Sequence, residues 1–209
     1  MGMTIADPSG LCATRLVGST IIGVLMAKRV CPWWLGYLLA SPLRRVFQDP
    51  AKILAPYVHE GMTVLEPGPG MGFFTLELAR RVGPSGRVVA VDVQAKMIAG
   101  LKRRLARKGL LERVDARVTL QDSMGLGDLA GKVDFALACA VVHELPAVNP
   151  FFTEIVEALR PGASCLFVEP AGHVSAALFE EEVQAAQHAG LSLTDRPSIR
   201  RQRAALFKK

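Results

Sequence analysis

Val64-Leu65-Glu66-Pro67-Gly68-Pro69-Gly70-Met71-Gly72 decides how this chain is read. A short apolar run from Met62 to Leu65 ends on an acidic residue and passes into three glycines at alternate positions. Residues 73–82 then follow with a helical pattern. Glycines are needed where the backbone turns tightly from strand to helix, and where a ligand must approach the main chain without meeting a Cβ. The N–H groups of the following helix point into such a turn, which makes the stretch a candidate small-molecule cradle.

The spacing excludes two familiar cradles. The dinucleotide fingerprint G-x-G-x-x-G is not met, because the third glycine arrives one residue early as Gly72 and Phe73 takes its place. The phosphate loop G-x-x-x-x-G-K-[ST] is absent. The acidic-Pro-Gly-x-Gly-x-Gly pattern instead resembles motif I of the class I S-adenosylmethionine (SAM)-dependent methyltransferases. That resemblance covers about residues 60–209 and implies SAM as cofactor and S-adenosylhomocysteine (SAH) as product.

From residue 62 onward, strands and helices alternate. Strands are expected at 63–66, 87–91, 116–120, 133–138 and 164–168, with helices at 73–82, 95–108, 150–159 and 175–189 between and after them. Met97, Ile98, Leu101 and Leu105 give the second helix its apolar stripe, and Gly109 gives its stop. Arg160-Pro161-Gly162 is expected to close the third helix. Such alternation implies right-handed crossovers and a parallel sheet covered on both faces. The last two strands, 191–194 and 204–207, are joined by too few residues for a helical crossover and should pair antiparallel. The expected fold is therefore α/β: a doubly wound, mostly parallel seven-stranded sheet with a C-terminal antiparallel hairpin, preceded by an N-terminal helical segment. The expected division is 1–59 for that segment, a lid or appendage, and 60–209 for the SAM-binding domain.

In open α/β sheets ligands bind beyond the carboxyl ends of the strands. The ends here supply Glu66, Asp92, Asp122, Cys139 and Glu169. Asp92, which closes the second strand, can accept both hydroxyls of a ribose. The resemblance implies that Glu66, Gly68, Pro69, Gly70 and Gly72 hold the amino-acid half of SAM. It places Val93 against the adenine face, and Asp122 with Ser123 at the adenine amino group. Cys139 completes the implied cofactor set.

After the fourth strand comes Cys139-Ala140-Val141-Val142-His143-Glu144-Leu145-Pro146. It lacks the [ND/S]-P-P-[aromatic] motif of base and protein-glutamine amino-methyltransferases, and the Pro-Cys nucleophile of cytosine-C5 enzymes. No nucleic-acid substrate is expected on this ground. The segment resembles the run with a central histidine found in small-molecule methyltransferases, including the quinone-biosynthesis type. That resemblance makes His143 a candidate general base and Glu144 the residue that orients it; a histidine packed under the adjacent helix is the competing reading. Glu169 and His173, leaving the fifth strand at the same mouth, are candidates to touch substrate or fix the loop. Of the four arginines at 196–203, Arg200 is named as one able to meet an anionic group on substrate. Cys139 and Cys31 could bind a thiophilic substrate, as in arsenite methyltransferases. No metal site is expected, since neither His–Glu pair has zinc-ligand spacing.

The N-terminal segment is less legible. Trp33, Trp34 and Tyr37 lie in the most aromatic stretch and are candidates for an apolar lid over the acceptor. The apolar run 16–27 is too short to span a bilayer, so covering the pocket or lying on a membrane surface are its two readings. Met1-Gly2 lacks the Ser or Thr that myristoylation requires, having Ala6 in that position. The chain is 209 residues long, enough for one domain with a short appendage. Its four cysteines are widely spaced, which points to a reducing cytoplasm. A net charge of +6 permits an anionic partner without requiring one.

The expected function is methyl transfer to a small, hydrophobic or aromatic acceptor. Two alternatives stand beside it: a catalytically silent methyltransferase-like binding module, and an NAD(P)-dependent oxidoreductase. The early third glycine and the C-terminal hairpin oppose the second of these.

Overall fold

The computed structural model describes residues 48–209. Trp33, Trp34, Tyr37, Cys31 and the apolar run 16–27 lie outside the described residues. A single seven-stranded sheet organises the rest: β1 (Thr63–Pro67), β2 (Arg87–Asp92), β3 (Val114–Val118), β4 (Val133–Cys139), β5 (Leu159–Pro170), β6 (Ser192–Asp195) and β7 (Gln202–Lys208). Their order is β3-β2-β1-β4-β5-β7-β6. The pairs from β3 to β5 are parallel, and β7 runs antiparallel to both β5 and β6. The doubly wound sheet with its terminal hairpin is the architecture expected from the sequence.

Alternate residues of each strand feed opposite faces, as the pleat requires. Val64, Val88, Ala90, Phe135, Leu137 and Leu166 pack toward α1 (Pro50–Leu54), α2 (Thr75–Arg81) and α3 (Ala95–Arg107). Leu65, Val89, Val91, Ala136, Cys165 and Phe167 pack toward α4 (Val148–Ala158) and α5 (Ala176–His188). Phe167 is fully buried, stacked on Phe179 at a 5.0 Å centroid distance and edge-on to Phe152 at 5.7 Å.

Helix ends follow local chemistry. Asp49 caps α1 by accepting the Ala51 N–H, with Pro50 at the first helical position. Ser175 caps α5 by accepting the Leu178 N–H. Gly109, in the left-handed region at φ 63°, follows α3. Residues 48–59, which the sequence placed with the N-terminal segment, pack into the same core: Leu54 and Val58 are buried and Tyr57 stacks on Phe135. Among the described residues no helix is long and apolar enough to cross a membrane.

Two elements differ from expectation. β3 starts at Val114 and ends at Val118, whereas 116–120 was expected. Val114 and Ala116 face the core, while Val118 and Leu120 are 54% and 73% exposed. Apolar character alone therefore misplaced the strand by two residues on this sheet edge. The second difference lies at Arg160-Pro161-Gly162, which belongs to β5. α4 stops at Ala158, Leu159 already pairs with Val133, and the register then shifts so that Ser164 meets Phe135. The turn residues form an irregularity inside one long strand.

Candidate functional site

The strand order reverses between β1 and β4, and a ligand crevice is expected at that switch point. A cavity of about 240 Å³ opens there, beyond the carboxyl ends of β1 to β4. Its walls are the glycine turn, the loops after β2, β3 and β4, and the first turns of α4.

The glycine turn is built by close approaches. Gly68, Gly70 and Gly72 have φ values of 66°, 54° and 84°, in the region that L-residues avoid. A Cβ on Gly68 would lie 2.7 Å from Val141 Cγ2, and one on Gly72 would lie 2.5 Å from Leu101 Cδ1. Gly70 is different: a Cβ there meets nothing within 4 Å, because the residue faces the cavity. The Arg104 guanidinium donates to the Met71 carbonyl and ties the turn to α3.

Carboxylates dominate the polar part of the wall. Glu66, at the end of β1, is 4% exposed, and its Oε2 has no hydrogen-bond partner. Burial pushes its acid up to about 8; the nearby Thr75 hydroxyl lowers it and the Asp92 charge raises it. Asp92 accepts the Gln94 N–H at 2.8 Å and is raised to about 6, chiefly by desolvation. The Gln94 and Gly70 N–H groups pull it down, and the charge of Glu144 pushes it up. Among the described residues no lysine, arginine or histidine lines the cavity. Such a wall can receive a cation and ribose-like hydroxyls.

The remaining wall is mostly apolar. Leu120, Met124, Leu145, Pro146, Ala147 and Phe151 line it, with Cys139, Asp122 and Ser123 among them. Gln48 Nε2 lies 3.8 Å from Cys139 Sγ. Glu154 on α4, which sequence reasoning missed, accepts the Met124 N–H at 3.0 Å and lies 3.4 Å from Ser123 Oγ. It thereby braces the loop after β3. Its only sequence signal was an acidic residue one turn from Phe151, which is too common to single out.

Glu66, Gly68, Pro69, Gly70, Asp92, Val93, Asp122, Ser123, Cys139 and Glu144 come together on this cavity. Gly72 supports the turn from behind. Glu169, His143, His173 and Arg200 are not among the lining residues. Glu169 is fully buried, and its Oε2 lies 2.6 Å from His143 Nδ1. The carboxylate on the His143 ring is thus Glu169, where Glu144 was expected. The hydrogen bond to Glu169 raises the His143 acid, with desolvation acting against it. Arg196 makes a two-point pair with Glu180 on α5, and Arg203 donates to the Val174 carbonyl.

A methyltransferase-domain family model matches residues 64–162. A SAM-dependent methyltransferase from Aquifex aeolicus superposes with a TM-score of 0.75, at 25% identity over 85% of this chain and 99% of that one. The ubiquinone/menaquinone biosynthesis C-methyltransferase of Hydrogenovibrio crunogenus is 27% identical over 112 residues, 54% of this chain and 43% of that protein. The arsenite methyltransferase of Halobacterium salinarum is 31% identical over 124 residues, 59% of this chain and 30% of that protein. The matches thus span less than half the length of those two relatives. Fold and matches together support a class I, Rossmann-like SAM-dependent methyltransferase with SAM as cofactor.

Proposed function

We propose that this protein transfers the methyl group of SAM to a small, largely apolar acceptor. The observation that carries the reading is the cavity itself, which combines the carboxylates Glu66, Asp92 and Glu144 with a mostly apolar lining. The residues present fit the cofactor. The buried, unpartnered Glu66 Oε2 suits the ammonium group, Asp92 the ribose hydroxyls, and the open face of Gly70 allows close main-chain approach. Val93, with Asp122 and Ser123, would flank the adenine, and Cys139 would lie near the junction with the acceptor space.

When bound, the cofactor supplies a methyl carbon activated by a sulfonium. The chain's own work is to orient the acceptor and exclude water. Leu145, Pro146 and Phe151 supply the dry wall for that. His143, expected as the base, lies off the cavity wall on Glu169, whereas Glu144, expected only to orient it, lines the cavity and would take the acceptor's proton in its stead. The two curated relatives, named for quinone biosynthesis and for arsenite, support a small-molecule acceptor. Cys139 on the wall keeps thiophilic acceptors within the class to be tried.

Calorimetry with SAH and with NADPH tests the cofactor, followed by label transfer from methyl-labelled SAM to quinols, phenols, thiols and arsenite. SAH binding and transfer to one of these classes is expected. Binding of NADPH in place of SAH would favour the oxidoreductase; SAH binding without transfer to any class would favour the silent module.

A further inference from the structure

Both carboxylate oxygens of the fully buried Glu169 are committed to one turn. Oε1 accepts the Val142 N–H at 2.9 Å and the His143 N–H at 3.2 Å, and Oε2 meets His143 Nδ1 at 2.6 Å. The sheet register makes this reach possible. Cys139 pairs with Val168 in parallel, and the Ala140 N–H donates to the Val168 carbonyl at 2.8 Å. Glu169 therefore begins where the chain leaves β4. Ala140 turns there at φ 55°, a conformation that non-glycine residues adopt rarely and chiefly where their surroundings impose it.

The short 3-10 turn Val142–Glu144 follows. Val141 and Glu144 stand three residues apart on one side and line the cavity, with Val141 against Gly68. His143 lies on the other side, its ring 6.3 Å from that of His173.

We propose that Glu169 is a positioning residue for the cofactor cavity. It clamps the 140–144 turn through two backbone N–H groups and the His143 ring, and so sets Val141 on Gly68 and Glu144 on the cavity wall. The inference rests on reading that cavity as the SAM site. His143 is the second half of the clamp and acts through Glu169, away from the reacting atoms.

Two measurements on the full chain test this: amide hydrogen exchange without ligand, and SAH affinity by calorimetry. The Glu144 and Leu145 amides, bonded to the Val141 and Val142 carbonyls at 3.1 and 3.0 Å, report on the turn. In Glu169→Ala their exchange should quicken by about tenfold while amides of α3 stay unchanged, and SAH should bind about tenfold more weakly. Glu169→Gln, which keeps an oxygen for the two N–H groups, should recover most of both. If Glu169→Ala does not fold, His143→Ala carries the test, with recovery in His143→Asn, whose amide N–H can replace Nδ1–H. Unchanged exchange at the two reporter amides overturns the proposal, as does faster exchange with wild-type SAH affinity. Failure of the wild-type protein to bind SAH would instead sink the methyltransferase reading, and is separable because the exchange measurement uses no ligand.

Discussion

Glu66 shows how burial at a single residue shapes both stability and binding. Its folded-state acid, near 8, lies above the ordinary carboxylate value of 4.5, so the folded protein holds a proton that the unfolded chain releases. Stability from this group is therefore complete below about pH 4.5 and is lost as pH rises toward 8. Glu66→Gln should remove that slope and raise ligand-free stability at pH 8 by on the order of a few kcal/mol, read by denaturant titration at several pH values. Asp92 gives a prediction on binding. Because its acid sits near 6, SAH affinity should tighten as pH rises from 5 to 7, and Asp92→Asn should flatten the profile. The slope per proton is at most about tenfold per pH unit. Glycines of one motif separate in the same way. Gly72→Ala drives a Cβ into Leu101 and should cost about 1–3 kcal/mol of stability. Gly70→Ala meets no neighbour, so beyond the about 1–2 kcal/mol that a side chain at its positive φ costs, it should act on SAH affinity by placing a methyl group in the cavity.

At the level of elements, the helix and strand positions followed from periodicity where one face is buried. α3 was legible because Met97, Ile98, Leu101 and Leu105 are its buried stripe. β3 was displaced by two residues because an edge strand need not hide every apolar side chain, and Leu120 is instead part of the cavity wall. Contacts between elements were not legible. Nothing local marks Arg104 as the residue that holds the glycine turn, or Glu154 as the brace of the 123–124 loop, because both partners are distant in sequence. Glu154→Ala should leave the Met124 N–H unpaired and weaken SAH binding by about tenfold, measured by calorimetry. Phe167→Ala, on the same layer but away from the cavity, should cost about 3–5 kcal/mol of stability in a denaturant melt.

For the whole molecule, the strand order places the mouth of the cavity where β1 and β4 part, and four loops that are far apart in sequence converge on it with the start of α4. A chain of net charge +6 thus presents a wall without basic side chains among its described residues. That fits a cationic cofactor better than an anionic dinucleotide, whose phosphates would face Glu66, Asp92 and Glu144. SAH at 100 times its Kd should add about 2.7 kcal/mol of stability, seen as a higher melting temperature, and Asp92→Asn should lose most of that shift. NADPH should give none.

By itself the sequence determined the α/β alternation, the hairpin and the acidic strand ends around a glycine turn. Those features are local: periodicity, turn chemistry and spacing along one backbone suffice to specify them. Only the tertiary structure decided which polar residues face the cavity. His143, Glu144 and Glu169 looked alike as polar groups at strand ends, yet Glu144 turns inward while Glu169 is buried behind it with His143. The difference comes from the parallel register of β4 and β5 and the left-handed turn at Ala140, which depend on residues brought together only by folding.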